Sequence, residues 1–163
     1  MTRKFYEQHR GDYLFTRAIS TILLPHSYIS LEFILQQYNI LTEVTYPITC
    51  ITTKNTRRIV NEIGIYWYRN IRPDLYRGFT ISEYFGIRVA EASLGKALFD
   101  YLYLRPLPVA YRSIKLNLAE ELRLNLDELS TMDQDEFSRF VDESRSRKMD
   151  YILNNFRRNV WHP

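Results

Sequence analysis

The sequence predicts an α+β domain whose mostly antiparallel sheet, about residues 44–91, packs against helices from both ends of the chain. Within these limits apolar residues alternate with a period of two, whereas on either side they recur at helical spacing. Gaps of hairpin length separate five short strands, and such gaps favour antiparallel pairing. The apolar faces of helices over 29–38, 93–104 and 145–158 then require burial against this sheet.

Two helices are predicted before the sheet. Residues 13–24 form the first, and Pro25 ends it because proline cannot continue a helix. In the second helix Ser30 is predicted to cap the N-terminus, and Asn39 to adopt the left-handed conformation after the C-terminus. The apolar residues of this second helix lie on one face: Leu31, Ile34, Leu35 and Tyr38.

The central residues predict strands joined by tight turns. Apolar alternation runs over 44–53, and Pro47 marks a strand start or an edge because it cannot donate to a neighbouring strand. Residues 57–71 predict a hairpin that turns near Asn61–Gly64. A second hairpin, formed by the segments FTISE and GIRVAE, is predicted to turn around Tyr84–Gly86.

Beyond the sheet the apolar spacing becomes helical again. Ser93 can cap a helix over 93–104, and Pro106 and Pro108 end that helix. Further helices are predicted over 117–124, 133–143 and 145–158. Because no repeat, low-complexity tract or linker interrupts the chain, residues 1–163 are interpreted as a single domain.

Composition excludes several classes of protein. The single Cys50 leaves no internal disulfide and fits a reducing compartment, so we expect a cytoplasmic protein. No apolar run approaches the roughly 20 residues that a membrane-spanning helix needs. The N-terminus lacks an apolar core followed by a small-residue cleavage site. We therefore expect neither a membrane partner nor a signal peptide.

Charge is distributed unevenly along the chain. Seven basic residues oppose three acidic ones over 51–90, whereas nine acidic residues oppose two basic ones over 117–143. Patches of opposite sign steer partners and orient docking. The candidates for binding a partner or a nucleic acid are Lys54, Arg57, Arg58, Arg69, Arg72, Arg77 and Arg88.

Aromatic residues lie between these cations, namely Tyr66, Trp67, Tyr68 and Tyr76. Rings beside cations can stack on bases, and the same composition is typical of protein interfaces. A third interpretation is that about half of these rings pack into the core, where period-two alternation would place them. Because the ends of antiparallel strands share a rim, we expect the first five cations, Lys54 to Arg72, to form one contiguous exposed basic patch.

The sequence carries no catalytic or metal-binding signature. His9, His26 and His162 are far apart and only one Cys accompanies them, so no metal site and no cofactor is expected. The five glycines are scattered, and neither a phosphate-binding loop nor a nucleophile elbow occurs. Cys50 and His26 could form a nucleophile and base, but a Cys within an alternating strand is typically a small hydrophobe. We therefore expect Cys50 to be buried and inert.

Four carboxylates lie among the predicted strands: Glu62, Asp74, Glu83 and Glu91. A metal-dependent nuclease needs clustered carboxylates beside a lysine, but no spacing selects such a set, so ordinary salt bridges are the preferred interpretation. Lys96 and Asp100 are four residues apart and are expected to pair on the surface of their helix. Glu91 precedes that helix and could also reach Lys96.

Four segments together resemble a known family: SYISLEFILQQYNIL (27–41), TYPITCITTKNTRR (45–58), IYWYRNIRPDLYRGF (65–79) and VAEASLGKALFDYLYL (89–104). In this order they are similar to the C-terminal domain of AbiEi-type antitoxins, the antitoxin and regulator halves of type IV toxin–antitoxin systems. The resemblance covers most of residues 13–158. The matching motif residues are Tyr28, Ser30, Thr52, Thr53, Lys54, Arg57, Ala92, Ser93, Lys96, Ala97, Leu98 and Asp100.

The resemblance implies a bacterial protein that is not an enzyme. In this family the C-terminal domain antagonises a nucleotidyltransferase-type toxin, and an N-terminal winged-helix domain binds operator DNA and represses the operon. About a dozen residues precede the matching region here, whereas a winged helix takes roughly 60–70, so that domain is expected to be absent. Leu94 and Gly95 stand where the family usually has Pro-Glu, and Asn39 where it often has Gly.

Three hypotheses of function follow. The first is an antitoxin-like binding module that recognises a nucleotidyltransferase-like toxin and is linked to transcriptional control. The second is a stand-alone nucleic-acid-binding regulator that uses the basic, Tyr-rich surface, and its affinity for DNA would depend on salt. The third is a remnant of a metal-dependent nuclease, which would require acidic side chains that converge beside a lysine.

Overall fold

A six-stranded sheet forms the centre of the computed structural model, which describes residues 3–43, 47–112 and 115–161. Its strands are β1 Ser27–Ile29, β2 Ile48–Thr52, β3 Arg57–Val60, β4 Ile65–Asn70, β5 Phe79–Tyr84 and β6 Ile87–Ala92. The helices are α1 Arg3–His9, α2 Tyr13–Leu23, α3 Glu32–Gln37, α4 Leu94–Leu104, α5 Leu118–Glu121, α6 Thr131–Ser144 and α7 Arg147–Asn159. Short 3₁₀ turns cover Pro73–Leu75, Val109–Arg112 and Leu126–Glu128. The predicted α+β class is therefore confirmed.

The strands lie in the order β3-β4-β2-β1-β6-β5, and the sheet is mixed. Three of the five strand pairings are antiparallel, whereas β1–β6 and β2–β4 are parallel. The parallel pairing of β2 with β4 arises because the apolar strand β4 is the one that inserts into the sheet, which leaves the charged strand β3 at the edge. Charged side chains on an edge strand oppose pairing with further strands. The sheet also begins at Ser27 instead of near residue 44.

Both predicted hairpins are confirmed, and local chemistry explains their turns. At the β3–β4 turn, Asn61 N–H donates to the Gly64 carbonyl at 3.1 Å. The Asn61 side-chain oxygen also accepts from the backbone N–H groups of Ile63 and Gly64, an arrangement that asparagine favours in turns. At the β5–β6 turn, Phe85 and Gly86 have φ of 47° and 78°, as two-residue hairpin loops require.

Helix α2 covers one face of the sheet. The hydroxyl groups of Tyr66 and Tyr68, on β4, donate to the α2 carbonyls of Thr16 and Ser20 at 3.1 and 2.7 Å. These two rings are fully buried, as is Cys50 on the neighbouring strand. Tyrosine is suited to this position because its ring packs in the core while its hydroxyl satisfies a helix carbonyl.

The opposite face of the sheet packs against α4, which α6 and α7 cover in turn. The Phe99 and Phe140 rings join α4 to α6 with centroids 5.5 Å apart, and Phe137 and Phe156 join α6 to α7 at 6.0 Å. The acidic helix α6 and the basic helix α7 are therefore neighbours, with their apolar stripes directed at a shared core.

Most predicted helices are present with their ends shifted by one or two residues, over 13–24, 93–104, 133–143 and 145–158. The short helix expected over 117–124 is limited to Leu118–Glu121. Of the strand expected over 44–53, residues 48–52 form β2, and residues 44–46 lie outside the described residues. Asn39 has the expected left-handed conformation, with φ of 56°.

The predicted start of the second helix was wrong. Residues 27–29 form β1, and α3 begins only at Glu32. Its N-cap is Leu31, with φ of 62° and without a side-chain cap. The Ser30 side chain does not cap this helix because it hydrogen-bonds a carboxylate on α4 instead.

No helix in the described parts of the chain is both long enough and apolar enough to cross a membrane.

Candidate functional site

Lys96 and Asp100 form a salt bridge inside the protein, and neither side chain is exposed to solvent. Lys96 Nζ lies 2.6 Å from Asp100 Oδ1, and it also donates to the Leu75 carbonyl at 2.8 Å. Asp100 Oδ2 accepts from the hydroxyl groups of Tyr28 at 2.9 Å and Ser30 at 2.8 Å. We call these five residues the buried network. Both charges are paired and hydrogen-bonded, as burial of charge requires.

Three elements meet at the buried network. The Ser93 hydroxyl accepts from Lys96 N–H and so begins α4, as predicted. One helical turn separates Lys96 from Asp100, which places both on the same side of α4. Strand β1 brings Tyr28, and Ser30 follows directly after it. The network thus connects β1, the turn after β4 and α4, which are far apart in sequence.

Aromatic rings surround the charged atoms. Lys96 Nζ lies 4.5 Å from the centroid of the Phe140 ring and 4.9 Å from that of Phe99. The Tyr28 ring stacks on Phe79 with centroids 4.7 Å apart. An ammonium group over aromatic faces is attracted by the ring quadrupole, and the attraction is stronger away from water. These rings also exclude water, which strengthens the hydrogen bonds of the network.

Burial dominates the titration of these groups. It raises the pKa of the Asp100 carboxyl and lowers the pKa of the Lys96 amino group, and the attraction between the two charges opposes both shifts. Burial, followed by the adjacent Asp100 carboxylate, also raises the pKa of Tyr28 far above its usual value. Tyr28 therefore remains a hydrogen-bond donor. A fully shielded and fully paired network connects these elements and offers no accessible acid, base or nucleophile.

Two expectations about this region were wrong. Lys96 and Asp100 do not pair on the helix surface, because α6 covers that side of α4. Glu91 does not reach Lys96, since it lies on the other face of the sheet and pairs there with Arg17 of α2. Sequence spacing predicted the i, i+4 pair correctly but not its burial.

The remaining motif residues have local roles. The Thr52 hydroxyl donates to the His26 carbonyl at 3.1 Å and accepts from Lys54 N–H at 3.2 Å, so it fixes the end of β2. Thr53 is exposed in the turn that follows. The motif residues thus divide into a buried set that includes Tyr28 and a turn set at the end of β2.

The prediction of one contiguous basic patch is wrong, because its cations do not lie on the same face of the sheet. In the β3–β4 register Arg57 lies opposite Tyr68 and Arg58 lies opposite Trp67. Tyr68 points under α2, whereas Trp67 points to the other side of the sheet. Successive strand residues alternate between faces, so Arg57 and Arg58 point in opposite directions.

Other members of the expected patch already have partners. Arg69 is half-buried on the same face as Arg58 and donates to the Leu104 carbonyl at 3.4 Å. Arg72 makes two hydrogen bonds to the Asp74 carboxylate, at 3.0 and 2.6 Å. These bonds hold the pKa of Asp74 below its usual value. A paired arginine offers little free charge to an approaching phosphate.

The last three basic candidates are dispersed. Lys54 is exposed in the turn between β2 and β3. Arg77 pairs with Glu143 of α6 and lies over the Phe140 ring. Arg88 is on β6, opposite Glu83 of β5, at the far side of the sheet from β3.

One exposed face of the β3–β4 hairpin does combine cations with apolar side chains. We call it the Arg58–Trp67 surface, and it consists of Arg58, Val60, Ile65, Trp67 and Arg69. The Arg58 guanidinium lies 5.9 Å from the centroid of the Trp67 ring. Val60 is 61% exposed and Trp67 is 42% exposed, and exposed apolar side chains grouped in this way mark interaction sites. Sequence alternation could have indicated this surface, because its members are two residues apart on each strand.

The four carboxylates considered for a nuclease do not converge. Asp74 pairs with Arg72, and Glu91 pairs with Arg17. Glu83 lies on the distant strand β5, and Glu62 is exposed in the turn between β3 and β4. Among the residues that the structure describes, no three His, Cys, Asp or Glu side chains are grouped closely enough to hold a metal ion.

Cys50 is fully buried, as expected, and burial raises the pKa of its thiol far above the usual value. We expect a thiol reagent at neutral pH to modify the native protein slower by orders of magnitude than the protein unfolded in guanidinium. The reason is that the thiolate is scarce and modification requires the core to open. Comparable modification rates in the two states would contradict this expectation.

The fold and this site define an α+β domain with a buried ion-pair network and an exposed apolar and cationic hairpin face. No family model, no curated protein and no solved structure matches the chain.

Proposed function

We propose that this domain is an antitoxin-like binding module of a type IV toxin–antitoxin system, which antagonises a nucleotidyltransferase-type toxin and is linked to transcriptional autoregulation. The observation that carries the binding role is the Arg58–Trp67 surface. The class of the partner comes from the resemblance of the ordered motifs to AbiEi-type antitoxins.

The positions of the motif residues support the proposal. Tyr28, Ser30, Lys96 and Asp100 come from two motifs that are about 70 residues apart, yet they meet in the buried network. A motif whose members share one hydrogen-bonded network has a physical reason to occur as a set, since the loss of one member leaves the others unsatisfied. The resemblance thus concerns residues that build the fold.

The composition of the Arg58–Trp67 surface suits a protein partner. Tryptophan and arginine are the residues that most often contribute large binding energies at interfaces, and they do so when neighbouring contacts exclude water. Val60 and Trp67 provide the apolar centre, and Arg58 and Arg69 lie beside it. Within the described ranges no carboxylate pairs with Arg58, so its charge is available to an acidic partner surface.

Charge reversal at Arg58 tests this proposal against a neighbouring control. We expect Arg58→Glu to weaken binding of the proposed partner, a nucleotidyltransferase-type toxin, by about tenfold or more, and to reduce rescue of growth when the two are co-expressed. Arg57→Glu makes the same charge change on the opposite face and should alter affinity by less than about twofold. Both variants should unfold within about 1 kcal/mol of the wild type, because both side chains are exposed.

Two results would contradict the proposal. One is that no neighbouring gene encodes a nucleotidyltransferase and that the domain does not rescue the growth of cells that express such a toxin. The other is an affinity for the toxin that is unchanged in Arg58→Glu. That result would reject the Arg58–Trp67 surface as the binding site but not the class of partner. Isothermal titration calorimetry and a growth assay provide the two measurements.

The alternative, a stand-alone nucleic-acid-binding regulator, retains one supporting observation. The exposed Trp67 ring beside Arg58 can stack on a base. A titration with single-stranded DNA distinguishes it, because that affinity would weaken with rising salt and would fall in Arg58→Glu. Because Arg57 and Arg58 lie on opposite faces, this surface offers few cations to a phosphate backbone, whereas its exposed apolar side chains suit a protein partner.

A further inference from the structure

Strand β5 leaves one edge of the sheet open. The strand order places β3 at one edge and β5 at the other. Residues 80–83 of β5 are all exposed, so none of the described segments covers this part of the strand. Native proteins usually protect an edge strand with charged side chains, proline or a bulge. In β3, Arg57 and Arg58 provide this protection. In β5 the only charged residue is Glu83, and six successive residues pair with β6 without a proline or a bulge.

The pairing of β5 with β6 determines which backbone groups face this edge. Tyr84 and Ile87 flank the two-residue turn, and residues in that position exchange hydrogen bonds across the hairpin. At the other end of the pair, Ser93 N–H donates to the Gly78 carbonyl at 3.2 Å. The even-numbered residues therefore bond to β6, because hydrogen-bonded positions alternate along an antiparallel pair. The N–H and C=O groups of the odd-numbered residues point away from the sheet: Phe79, Ile81 and Glu83.

These outward groups have no partner in the described parts of the chain, and a free strand edge of this kind is a template for a further strand. The Ile81 side chain adds an apolar contact at the same place. It is 50% exposed and lines a groove of about 360 Å³ together with Phe79 and with Ala90 of β6. An incoming strand at β5 would therefore gain backbone hydrogen bonds and bury apolar surface at once.

We propose that β5 pairs with β5 of a second copy of this chain, antiparallel and centred on Ile81, so that one sheet continues through a symmetric dimer. In this register Ile81 lies opposite Ile81 of the second copy, and Phe79 lies opposite Glu83 of the second copy. All three outward-facing residues then exchange backbone hydrogen bonds with the other copy. Any other register pairs fewer of them, because β5 is only six residues long.

Charge and symmetry favour a second copy as the occupant of this edge. Glu83 has Arg88 of β6 as its cross-strand neighbour and faces Phe79 of the second copy, so no like charges are opposed. The apolar Ile81 side chains meet across the symmetry axis and shield each other from water. Pairing of β5 with itself is a closed contact, and the arginines of β3 oppose growth at the outer edges. The Arg58–Trp67 surface lies at those outer edges, so the dimer is independent of the proposed function.

Sedimentation velocity and hydrogen exchange test this dimer on the full chain. We expect a monomer–dimer equilibrium with a Kd on the order of 10 μM, because a single strand pair is at the small end of protein interfaces. Exchange at low or high protein concentration is read by NMR, and the N–H groups of Ile81 and Glu83 should exchange at least about tenfold slower at high concentration. The N–H groups of Thr80 and Ser82 should be protected at every concentration, because they bond to β6 in both states. A chain that remains monomeric at millimolar concentration, or a dimer without added protection at Ile81 and Glu83, would overturn the proposal.

Matched lysine variants locate the contact between the two copies. Ile81→Lys should weaken dimerisation by about tenfold or more, because it places two like charges at the symmetry axis. Val60→Lys makes the same kind of change at an exposed apolar residue of the opposite edge and should alter the Kd by less than about twofold. Both side chains are at least half exposed, so both variants should retain the circular dichroism spectrum of the wild type. An equal loss in the two variants would indicate pairing of β5 with β3 and contradict the symmetric dimer, as would a Kd that is unchanged in Ile81→Lys.

Discussion

The Lys96→Met variant is expected to lose about 3–5 kcal/mol of unfolding free energy, because it leaves the Asp100 carboxylate buried without its cation. Methionine has a similar length and keeps the contacts with the Phe99 and Phe140 rings. The total free energy of unfolding of such a domain is about 5–15 kcal/mol, so the variant approaches global unfolding. Denaturant titration followed by circular dichroism measures the loss.

An exposed pair with the same spacing provides the control. Arg3 and Glu7 pair at i, i+4 on α1, with the Arg3 side chain 91% exposed. Removal of this cation by Arg3→Met should cost less than about 0.5 kcal/mol, because solvent screens exposed pairs. A double variant, Lys96→Met with Asp100→Leu, removes both buried charges and should recover part of the loss. A cost at Lys96 as small as that at Arg3 would show that the buried network contributes little to stability.

The same variant should acquire a dependence of stability on pH. Burial raises the pKa of Asp100 above its usual value, and loss of Lys96 removes the attraction that opposes this shift. A raised folded-state pKa contributes stability that is complete below the unfolded-state pKa and is lost as pH rises through the folded-state pKa. The unfolding free energy of Lys96→Met should therefore fall as pH rises above about 4, by at most about 1.4 kcal/mol per pH unit.

The wild-type protein should show no such slope from this pair. Lys96 and Asp100 together hold one proton in the folded state, whether it resides on the amine or on the carboxyl. The unfolded chain also holds one between these two side chains from about pH 5 to pH 9. Parallel stability curves for wild type and Lys96→Met across that range would contradict this explanation.

The Gly78→Ala variant is expected to lose about 2–5 kcal/mol of unfolding free energy. Gly78 has φ of 80°, which strains an L residue by about 1–2 kcal/mol. An added Cβ would also lie 2.6 Å from Phe140 Cζ and 3.0 Å from Lys96 Cγ, and overpacking of a core costs about 1–3 kcal/mol. Both neighbours belong to the packed region around the buried network, so neither can move freely.

Gly86 provides a matched control for the backbone contribution. Its φ of 78° is nearly the same, but no atom lies within 4 Å of an added Cβ. Gly86→Ala should therefore lose only the strain of about 1–2 kcal/mol, and the difference between the two variants measures the clash. Equal losses in thermal or denaturant unfolding would show that Phe140 and Lys96 accommodate the methyl group.

The sequence by itself determined the features that depend on neighbouring residues. Asn61 and Gly86 specify their hairpin turns, and Ser93 specifies the start of α4, because each acts within a few residues of its own position. Period-two alternation likewise predicted a buried Cys50. Together with helical spacing on either side of the sheet, these local signals were enough for the α+β class.

Only the tertiary structure decided which distant groups meet. Ser30 carries a good capping side chain, but the Asp100 carboxylate, 70 residues later in the chain, takes its hydroxyl and a strand forms just before it. Arg57 and Arg58 are adjacent in sequence, yet the register of β3 on β4 directs them to opposite faces. The parallel pairing of β2 with β4 could not be predicted from the sequence either. The order of the strands depends on the burial of side chains over the whole sheet and not on any one segment.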